Sequence, residues 1–274
     1  MISRKDIVRS LTDVGIGRGD HLVVHASLRS IGAIDGGADA AIDALVDVVG
    51  DGGTVAMPSF HYTRPLPEPH FDVRTTPAKT GTLTEVFRQR AGVRRSLHPT
   101  HAVCALGPRA DEFLDDHLTC EAVGKDSPLD RIAQAGGYVL LIGVSHLANT
   151  TIHVGQCHAG LARYHWQDGP VPIAKVLLAD NRVVEHPLDA SAGCSLAFNA
   201  VDYLLRQRGL VRDTYIGHAP SSLMRGRDII DTVVATLKER PDALLCNRQA
   251  CRPCVLARRH SHAAAERSAP NVVK

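Results

Sequence analysis

With 274 residues, a formal net charge of +2 and 4% aromatic residues, the chain is long enough for one large α/β domain and too evenly charged for a dedicated nucleic-acid surface. It contains no run of about 18 uncharged apolar residues, which argues against a membrane span, and its first residues lack the apolar core of a secretion signal. We therefore expect a cytoplasmic protein with a single domain over residues 1–260 and a flexible tail over residues 261–274.

The first sixty residues predict one helix followed by a parallel βαβ unit. The spacing of apolar residues indicates a helix over Ile2–Gly15, with Ser3 as its N-cap. A strand at His21–His25, a helix at Ala38–Val49 and a strand at Thr54–Pro58 then follow one another closely. Because a strand, a crossover helix and a second strand in this order form a βαβ unit, the two strands should run parallel in one sheet.

The loop after the first strand, ASLRSIGAIDGG, is rich in small residues, hydroxyls and glycines. Such a loop lets backbone N–H groups approach an anion closely, and Arg29 adds a positive charge beside them. A phosphate cradle is one interpretation. The other is an ordinary strand-to-helix turn in which Ser27 or Ser30 caps the helix, and these residues alone do not decide between the two.

A long loop with several prolines follows the second strand, from Ser59 to Gly81. Loops of this length within a compact domain are usually functional or disordered. The aromatic and acidic residues of this loop would be unusual in a disordered linker, so we expect an ordered wall of a pocket. These residues are Phe60, His61, Tyr62, Phe71 and Asp72.

Polar residues border two further strands. Ser96, His98, Thr100 and His101 come just before the apolar run AVCAL. Another apolar run, GYVLLIGV, predicts a buried strand that leads into Asn149–Gly160, with the sequence NTTIHVGQCHAG. We expect this last segment to be a polar turn at the carboxyl edge of the sheet, which is where open α/β folds bind ligands.

The remaining third of the chain predicts few elements. Pro170–Leu178 and Arg182–His186 are typical of an antiparallel hairpin, because a turn sequence separates two short apolar runs. Ala197–Arg208 and Ile229–Arg240 have the apolar spacing of amphipathic helices.

Three of the seven cysteines form a C-x4-C-x2-C pattern at Cys246, Cys251 and Cys254. The C-x2-C spacing lets two thiolates reach one tetrahedral zinc ion. A fourth ligand would come from Cys157, Cys194 or a histidine, and without one the cysteines are small buried apolar residues. The sequence thus suggests a structural zinc site at Cys246, Cys251 and Cys254, but it does not decide between this site and buried free cysteines.

Six segments in chain order resemble the aminoglycoside 3-N-acetyltransferase family of antibiotic N-acetyltransferases. They are HASLRSIG (25–32), GTVAMPSF (53–60), FDVRTTP with GTLTEVFR (71–88), RSLHPTH (95–101), SPLDRI (127–132) and NTTIH (149–153). The resemblance implies a three-layer α/β/α sandwich with a mostly parallel central sheet and a C-terminal antiparallel hairpin. It also implies acetyl-CoA as cosubstrate, and a ternary complex in which an amine of the antibiotic attacks the thioester.

The resemblance assigns His153 as general base, since an imidazole with a pKa of about 6.5 accepts a proton near neutral pH without being permanently charged. Among the downstream carboxylates Asp168, Glu185 and Asp189, we favour Asp189 as its support, because it precedes a turn of small residues. Coenzyme A would be held by Ser27, Leu28, Arg29, Ser30, Ile31 and Gly32, together with Ser96, His98 and Thr100. The amine substrate would contact Phe60, Tyr62, Asp72 and Gln156.

The chain departs from the family pattern at two positions. The family motif usually continues as His-x-Ala-Glu, whereas Gln156 stands here in place of the glutamate, and Ala102 replaces a frequent serine. A glutamine exchanges hydrogen bonds but supplies no charge, and a polycationic drug favours an acidic pocket. The first departure therefore puts the substrate in question more than the fold.

Three hypotheses follow. In the first, the protein acetylates an amine of an aminoglycoside and confers resistance, most directly at the 3-amino group of 2-deoxystreptamine. In the second, it acylates a different amine, which Gln156 favours. In the third, it is a catalytically weakened homologue that binds coenzyme A or another ligand and uses the cysteine cluster as an interaction surface. A homodimer is left open in all three.

Overall fold

A computed structural model describes residues 1–61, 70–161, 170–188 and 193–268, with side chains as far as residue 260. Tyr62, Asp168 and Asp189, to which the sequence assigns or offers site roles, lie outside the described residues. The strands are β1 His21–Ala26, β2 Thr54–Pro58, β3 His70–Asp72, β4 Arg94–Arg95, β5 Val103–Leu106, β6 Tyr138–Ile142, β7 Ile173–Leu177, β8 Val183–Pro187, β9 Arg212–Ile216 and β10 Ala219–Arg225.

The helices surround this sheet system. They are α1 Arg4–Asp13, α2 Leu28–Ile31, α3 Gly37–Val49, α4 Thr82–Arg88, α5 Ala110–Leu114, α6 Pro128–Gln134, α7 Thr151–His158, α8 Ala200–Gln207, α9 Gly226–Glu239 and α10 Arg252–Ser268, with a short 3-10 turn at His146–Ala148. Across the described ranges, no helix has both the length and the apolar character needed to cross a membrane.

Seven strands form the central sheet in the order β4-β5-β2-β1-β6-β10-β9. The three middle strands are parallel, because β1 pairs in parallel with both β2 and β6. Strand β5 runs antiparallel to β2 and to β4, and β10 runs antiparallel to β6 and to β9. Strands β1, β2, β4, β6 and β9 therefore share one direction, which agrees with the predicted α/β class.

Successive side chains along each strand point to opposite faces of the sheet, and this alternation produces the three layers. In β1, Val23 packs into a core with residues of α5 to α9, whereas Leu22 and Val24 pack into a second core with α1, α3 and α4. Because successive side chains of a strand point to opposite faces, each face of the sheet is covered by its own helices. The predicted α/β/α sandwich is confirmed.

Most of the predicted elements are confirmed with small shifts of their ends. Ser3 caps α1 and forms a capping box with Asp6, and the first βαβ unit is parallel as expected. The predicted hairpin is β7–β8, with Asn181 at its turn in the left-handed region at φ 66°. It belongs to a separate three-stranded sheet, in which β3 pairs in parallel with β7.

Two features differ from the prediction. Asn149–Gly160 is mostly the helix α7 rather than a polar turn, so His153 lies within a buried helix. The hairpin β9–β10 was not predicted, because its outer strand alternates polar residues with few apolar ones and Tyr215 is 67% exposed. At the C-terminus, the backbone of α10 continues to Ser268, and the division into a domain and a tail at residue 260 stays a prediction.

Helix α7 packs on α9 with a glycine at the contact. A Cβ atom added to Gly155 would lie 2.6 Å from Cβ of Val233 and 3.3 Å from the carbonyl oxygen of Ile230. Alanine at this position would gain about 1 kcal/mol of helix propensity, but forcing a methyl group against a β-branched residue costs about 1–3 kcal/mol. The steric cost therefore exceeds the gain.

We expect Gly155→Ala to lower the free energy of unfolding by about 1–2 kcal/mol, measured by urea denaturation near neutral pH. The matched control is Gly17→Ala, since an added Cβ there meets no atom within 4 Å, and its effect should stay within about 0.5 kcal/mol. An alanine variant at position 155 that unfolds at the same or a higher urea concentration than the parent would contradict this account of the contact.

Candidate active site

The sheet gathers several polar segments at one edge. Strands β1, β2 and β6 are parallel, so the segments that follow them begin at the same edge of the sheet. Strand β5 is antiparallel to β2, which brings the residues before β5 to this edge as well. Ligands bind at the carboxyl ends of the strands in open α/β sheets, so this edge is the candidate site.

A histidine–amide pair lies on α7, the helix that follows β6 from this edge. Nδ1 of His153 lies 2.8 Å from Oε1 of Gln156, one turn further along α7. Both residues are buried, with 6% and 4% of their surfaces exposed. Because Gln156 presents an oxygen, the His153 ring donates its Nδ1–H, and this tautomer carries the basic lone pair on Nε2.

Residues from a distant part of the chain form one wall beside His153. The Phe198 ring meets the imidazole edge to face, with 4.6 Å between the ring centres. Gly193 lies close enough that an added Cβ would be 3.7 Å from Cε1 of His153. Phe198 was not identified from the sequence, because nothing in its local pattern links it to a helix some forty residues earlier.

Hydrogen bonds fix the start of α7. Oδ1 of Asn149 accepts a bond from the backbone N–H of Thr151 at 3.2 Å, and the Asn149 amide nitrogen lies 3.2 Å from Nδ1 of His146. Asn149 is fully buried. An asparagine just before a helix is a helix-start signal, and the sequence contains this signal at Asn149.

The predicted phosphate cradle contains the short helix α2. The Ser30 hydroxyl donates to Oγ of Ser27 at 2.8 Å, and a Cβ added to Gly143 would collide with the Ser30 side chain at 2.4 Å. The cradle therefore packs directly on the end of β6, while Arg29 is exposed to solvent. Gly32 ends it with φ 100°, a conformation that favours glycine.

Ser96, His98 and Thr100 form a buried cluster with other histidines. Ser96 donates from its hydroxyl to Nδ1 of His117 at 2.7 Å, and Nδ1 of His98 accepts from the backbone N–H of Thr100 at 3.3 Å. The His98 ring centre lies 5.0 to 5.7 Å from those of three neighbours, His101, His117 and His186. Hydrogen bonds within this cluster therefore satisfy several of its buried polar atoms.

Burial lowers the pKa of three histidines, His117, His25 and His98. It lowers the pKa of His117 to about 4, although a bond to the Ala122 carbonyl opposes the shift. Burial, followed by the positive charge of His146, lowers the pKa of His25 to about 4. The pKa of His98 lies well below its ordinary value, mainly through burial and then through the neighbouring histidines.

Two predicted substrate contacts have protein partners. Phe60 is buried, and its ring meets His101 edge to face with 4.7 Å between ring centres. Oδ1 of Asp72 accepts a 2.8 Å hydrogen bond from the backbone N–H of Arg74. Although burial opposes the shift, the hydrogen bonds from Arg74 lower the pKa of Asp72, so its carboxylate is ionised and oriented within its own turn.

The three cysteines of the C-x4-C-x2-C pattern come together, and Cys194 joins them. The Sγ atoms of Cys194, Cys246, Cys251 and Cys254 all lie within 4.8 Å of one another. Of the fourth ligands that the sequence offered, the described residues bring Cys194 into this group, and Cys157 lies outside it. We call these four residues the thiol cluster.

The fold is a three-layer α/β/α sandwich, and a buried imidazole lies on a helix that follows a strand from its ligand-binding edge. This arrangement is typical of an α/β enzyme with a candidate general base. The comparison with known proteins then identifies the family. Residues 23–238 match the family model described as aminoglycoside 3-N-acetyltransferase, and this span is most of the chain. The chain belongs to the aminoglycoside 3-N-acetyltransferase family, so the family and the enzyme class expected from the sequence are confirmed.

Three relatives illustrate the similarity. Aminoglycoside N(3)-acetyltransferase IV of Salmonella sp is 32% identical over 240 residues, covering 87% of this chain and 88% of its own. A crystal structure of a histidine-to-alanine mutant of AAC(3)-IVa in complex with a gentamicin has 31% identity, covers 94% and 97% of the two chains, and has a TM-score of 0.81. A binary complex of AAC-IIIb with CoASH has 28% identity, covers 87% and 97%, and has a TM-score of 0.73.

The buried histidines make stability depend on pH. Folding lowers the pKa of His25 and His117 from 6.5 to about 4, so the unfolded chain binds more protons than the folded chain between these values. Stability therefore rises with pH across this window and is lost as pH falls through it. We expect the free energy of unfolding to fall by about 1.5 kcal/mol per histidine between pH 6.5 and pH 5, measured by urea denaturation.

His117→Gln serves as the matched variant, because glutamine can keep one hydrogen bond of the ring but does not titrate. It should be less stable at pH 7 and show a shallower dependence on pH. Equal slopes for the variant and the parent would contradict the assignment of His117.

Proposed function

We propose that this protein transfers the acetyl group of acetyl-CoA to an amine of an aminoglycoside antibiotic, at the 3-amino group of the 2-deoxystreptamine ring. The observation that carries the proposal is the buried His153–Gln156 pair at the ligand-binding edge of a sheet that belongs to this family. A base that is neutral at working pH suits an amine acceptor, because the amine must lose a proton to react. In this account the chain acts in the cytoplasm, where acetyl-CoA is available.

His153 acts as general base in the proposed mechanism. The amine nitrogen attacks the thioester carbonyl, its proton moves to Nε2 of His153, the N–C bond forms and the C–S bond breaks. The thiolate of coenzyme A leaves and takes up the proton that His153 received, which restores the neutral base. Gln156 is a positioning residue, because it holds the Nδ1–H and keeps the lone pair on Nε2. The relative crystallised with a gentamicin carries a histidine-to-alanine substitution, which is the change expected to slow turnover in a complex with substrate.

Acetyl-CoA is the proposed cosubstrate, as the complex of AAC-IIIb with CoASH suggests for this family. We assign its phosphates to Ser27–Gly32, because this segment lies at the carboxyl end of β1, contains an exposed arginine and includes two serines and a glycine. Ser96, His98 and Thr100 remain proposed contacts. Their burial and internal hydrogen bonds favour an indirect role, in which they support the surface that the cofactor touches.

Asp189 remains the proposed support for His153. Gly193 lies beside the imidazole, and the Cα of Asp189 is no more than about 14 Å along the chain from that of Gly193. On the substrate side, we retain Phe60, Tyr62 and Asp72 as proposed contacts. Asp72 is ionised, and an acidic group suits a polycationic antibiotic, although its Oδ1 already pairs with Nε of Arg74 at 3.4 Å. A homodimer remains a prediction from the sequence.

A second candidate function is acylation of a different amine, and Gln156 is the observation that favours it. The glutamate of the family motif would place a charge beside the imidazole, and this chain has a neutral amide there instead. The loss of that charge weakens attraction of a polycation but leaves proton transfer intact.

Release of free coenzyme A, measured with a panel of aminoglycosides and simple amines, tests the proposed function. We expect turnover with drugs that contain 2-deoxystreptamine, and His153→Ala should lower kcat by about 100- to 10,000-fold while acetyl-CoA binding is kept. Turnover confined to other amines would support the second candidate, and turnover with none of them would overturn both.

Gln156→Glu tests the positioning role. A carboxylate beside the imidazole stabilises its protonated form, so the acidic limb of the pH–rate profile should move to higher pH by roughly one to three units. Gln156→Met is the matched control, because it removes the hydrogen bond without adding charge and should lower kcat without that upward shift. Identical acidic limbs for the parent and Gln156→Glu would show that residue 156 does not contact the base during catalysis.

A further inference from the structure

The thiol cluster joins three parts of the chain that are far apart in sequence. Cys194 lies in the segment before α8, Cys246 lies after α9, and Cys251 and Cys254 lie at the start of α10. Cys246 and Cys254 are buried, and the other two are partly buried. The cysteines are free thiols in the structure, so no disulfide accounts for their meeting.

The geometry fits one tetrahedral metal ion. Zinc binds thiolate sulfur at about 2.3 Å, so four sulfurs around one ion lie about 3.8 Å apart. The sulfurs of the thiol cluster already lie within 4.8 Å of one another. A modest contraction therefore brings all four into a single coordination sphere, whereas an iron–sulfur cluster with bridging sulfides would hold the thiolates farther apart. Four thiolates in tetrahedral array are typical of a structural zinc site.

Backbone groups also point at the sulfurs. The N–H of Cys246 lies 3.4 Å from Sγ of Cys254, and the N–H of Leu196 lies 3.5 Å from Sγ of Cys194. Hydrogen bonds from the backbone to ligand atoms orient them and stabilise negative charge on them. These contacts suit thiolates bound to a cation better than four inert thiols in an apolar core.

The thiol cluster is next to the candidate active site along the chain. Cys194 directly follows Gly193, which lies against His153, and it is four residues before Phe198, which packs on the same ring. Leu161, which closely follows α7, packs against the apolar group that contains Cys246 and Cys254. A ligand that holds Cys194 in place therefore also restrains Gly193 and Phe198, which form the wall beside His153.

We propose that the thiol cluster binds one zinc ion, and that this ion holds residues 193–198 against His153. The ion is structural, because four protein ligands leave no open position for substrate or water. It anchors the start of α10 to the segment before α8. The second part of the proposal rests on the proposed role of His153, whereas zinc binding itself does not.

Elemental analysis by mass spectrometry, on full-length protein purified without chelator, tests the metal. We expect about one zinc per chain in the parent and in Cys120→Ser, a matched control whose cysteine lies outside the thiol cluster. Cys194→Ser should lose most of the zinc, and so should Cys254→Ser. Well under one zinc in the parent, even when the cells are grown with added zinc, would overturn the site, and so would iron in its place.

Two further measurements use the parent protein, so they remain informative if the cysteine variants fail to fold. Replacing zinc in the parent with cobalt(II) should give the absorption spectrum of a tetrahedral tetrathiolate, and an octahedral spectrum would overturn the ligand assignment. Hydrogen exchange followed by mass spectrometry should show faster exchange of the amides of 193–198 after the zinc is removed by a chelator. Unchanged exchange there, with zinc demonstrably lost, would overturn the link to His153 and leave the proposed acetyl transfer untouched.

Discussion

The packing of α7 on α9 is the contact on which the candidate site depends. It buries a helix that begins shortly after β6, a strand of the central sheet, and it is close because residue 155 has no side chain. The helix contacts α9 and also α6, so it cannot rotate without breaking its core contacts, and His153 and Gln156 keep one orientation. Preorganisation of this kind is what a general base requires, since misplacement by about 1 Å can cost a factor of about a hundred in rate. Steric fit against Val233 thus accounts for a glycine at position 155 in this chain.

The hydrogen bond between His153 and Gln156 sets the electrostatics of the site. An amide oxygen fixes the tautomer of the ring as a carboxylate would, but it does not stabilise the imidazolium that forms when the amine gives up its proton. The base is then quick to return its proton and offers less attraction to a cationic acceptor. Support of the charged ring by Asp189, which precedes Gly193, stays a proposal. In the proposed zinc site the thiol cluster fixes the residues that follow Gly193, so the neutral amide and the proposed zinc ligands meet at the same wall beside His153.

Local patterns in the sequence predicted the frame of the fold, since apolar spacing and caps identify elements such as α1, β1, α3 and β2. They did not predict β9–β10, whose residues are stabilised by pairing with β6 rather than by their own propensities. They also missed that NTTIH begins a helix, because a run of asparagine and threonines is as typical of a turn as of a helix start, and burial against α9 favours the helix. For the site, motif order identified His153 and Gln156, and spacing identified three of the four clustered cysteines. Cys194 was one of several fourth ligands that the sequence offered, and only the folded chain selects it. Phe198 and Gly193 could not be found in this way, because only the folded chain brings them near His153, about forty residues earlier.

Nitrogen-15 NMR of protein labelled on its histidines, with His153→Ala identifying the signals of His153, tests the central claim most directly. The account predicts a neutral ring at pH 7 with its proton on Nδ1 and the lone pair on Nε2, where an amine proton would be received. A ring protonated on Nε2 alone, or one already carrying both protons at this pH, could not act as the proposed base and would contradict the account.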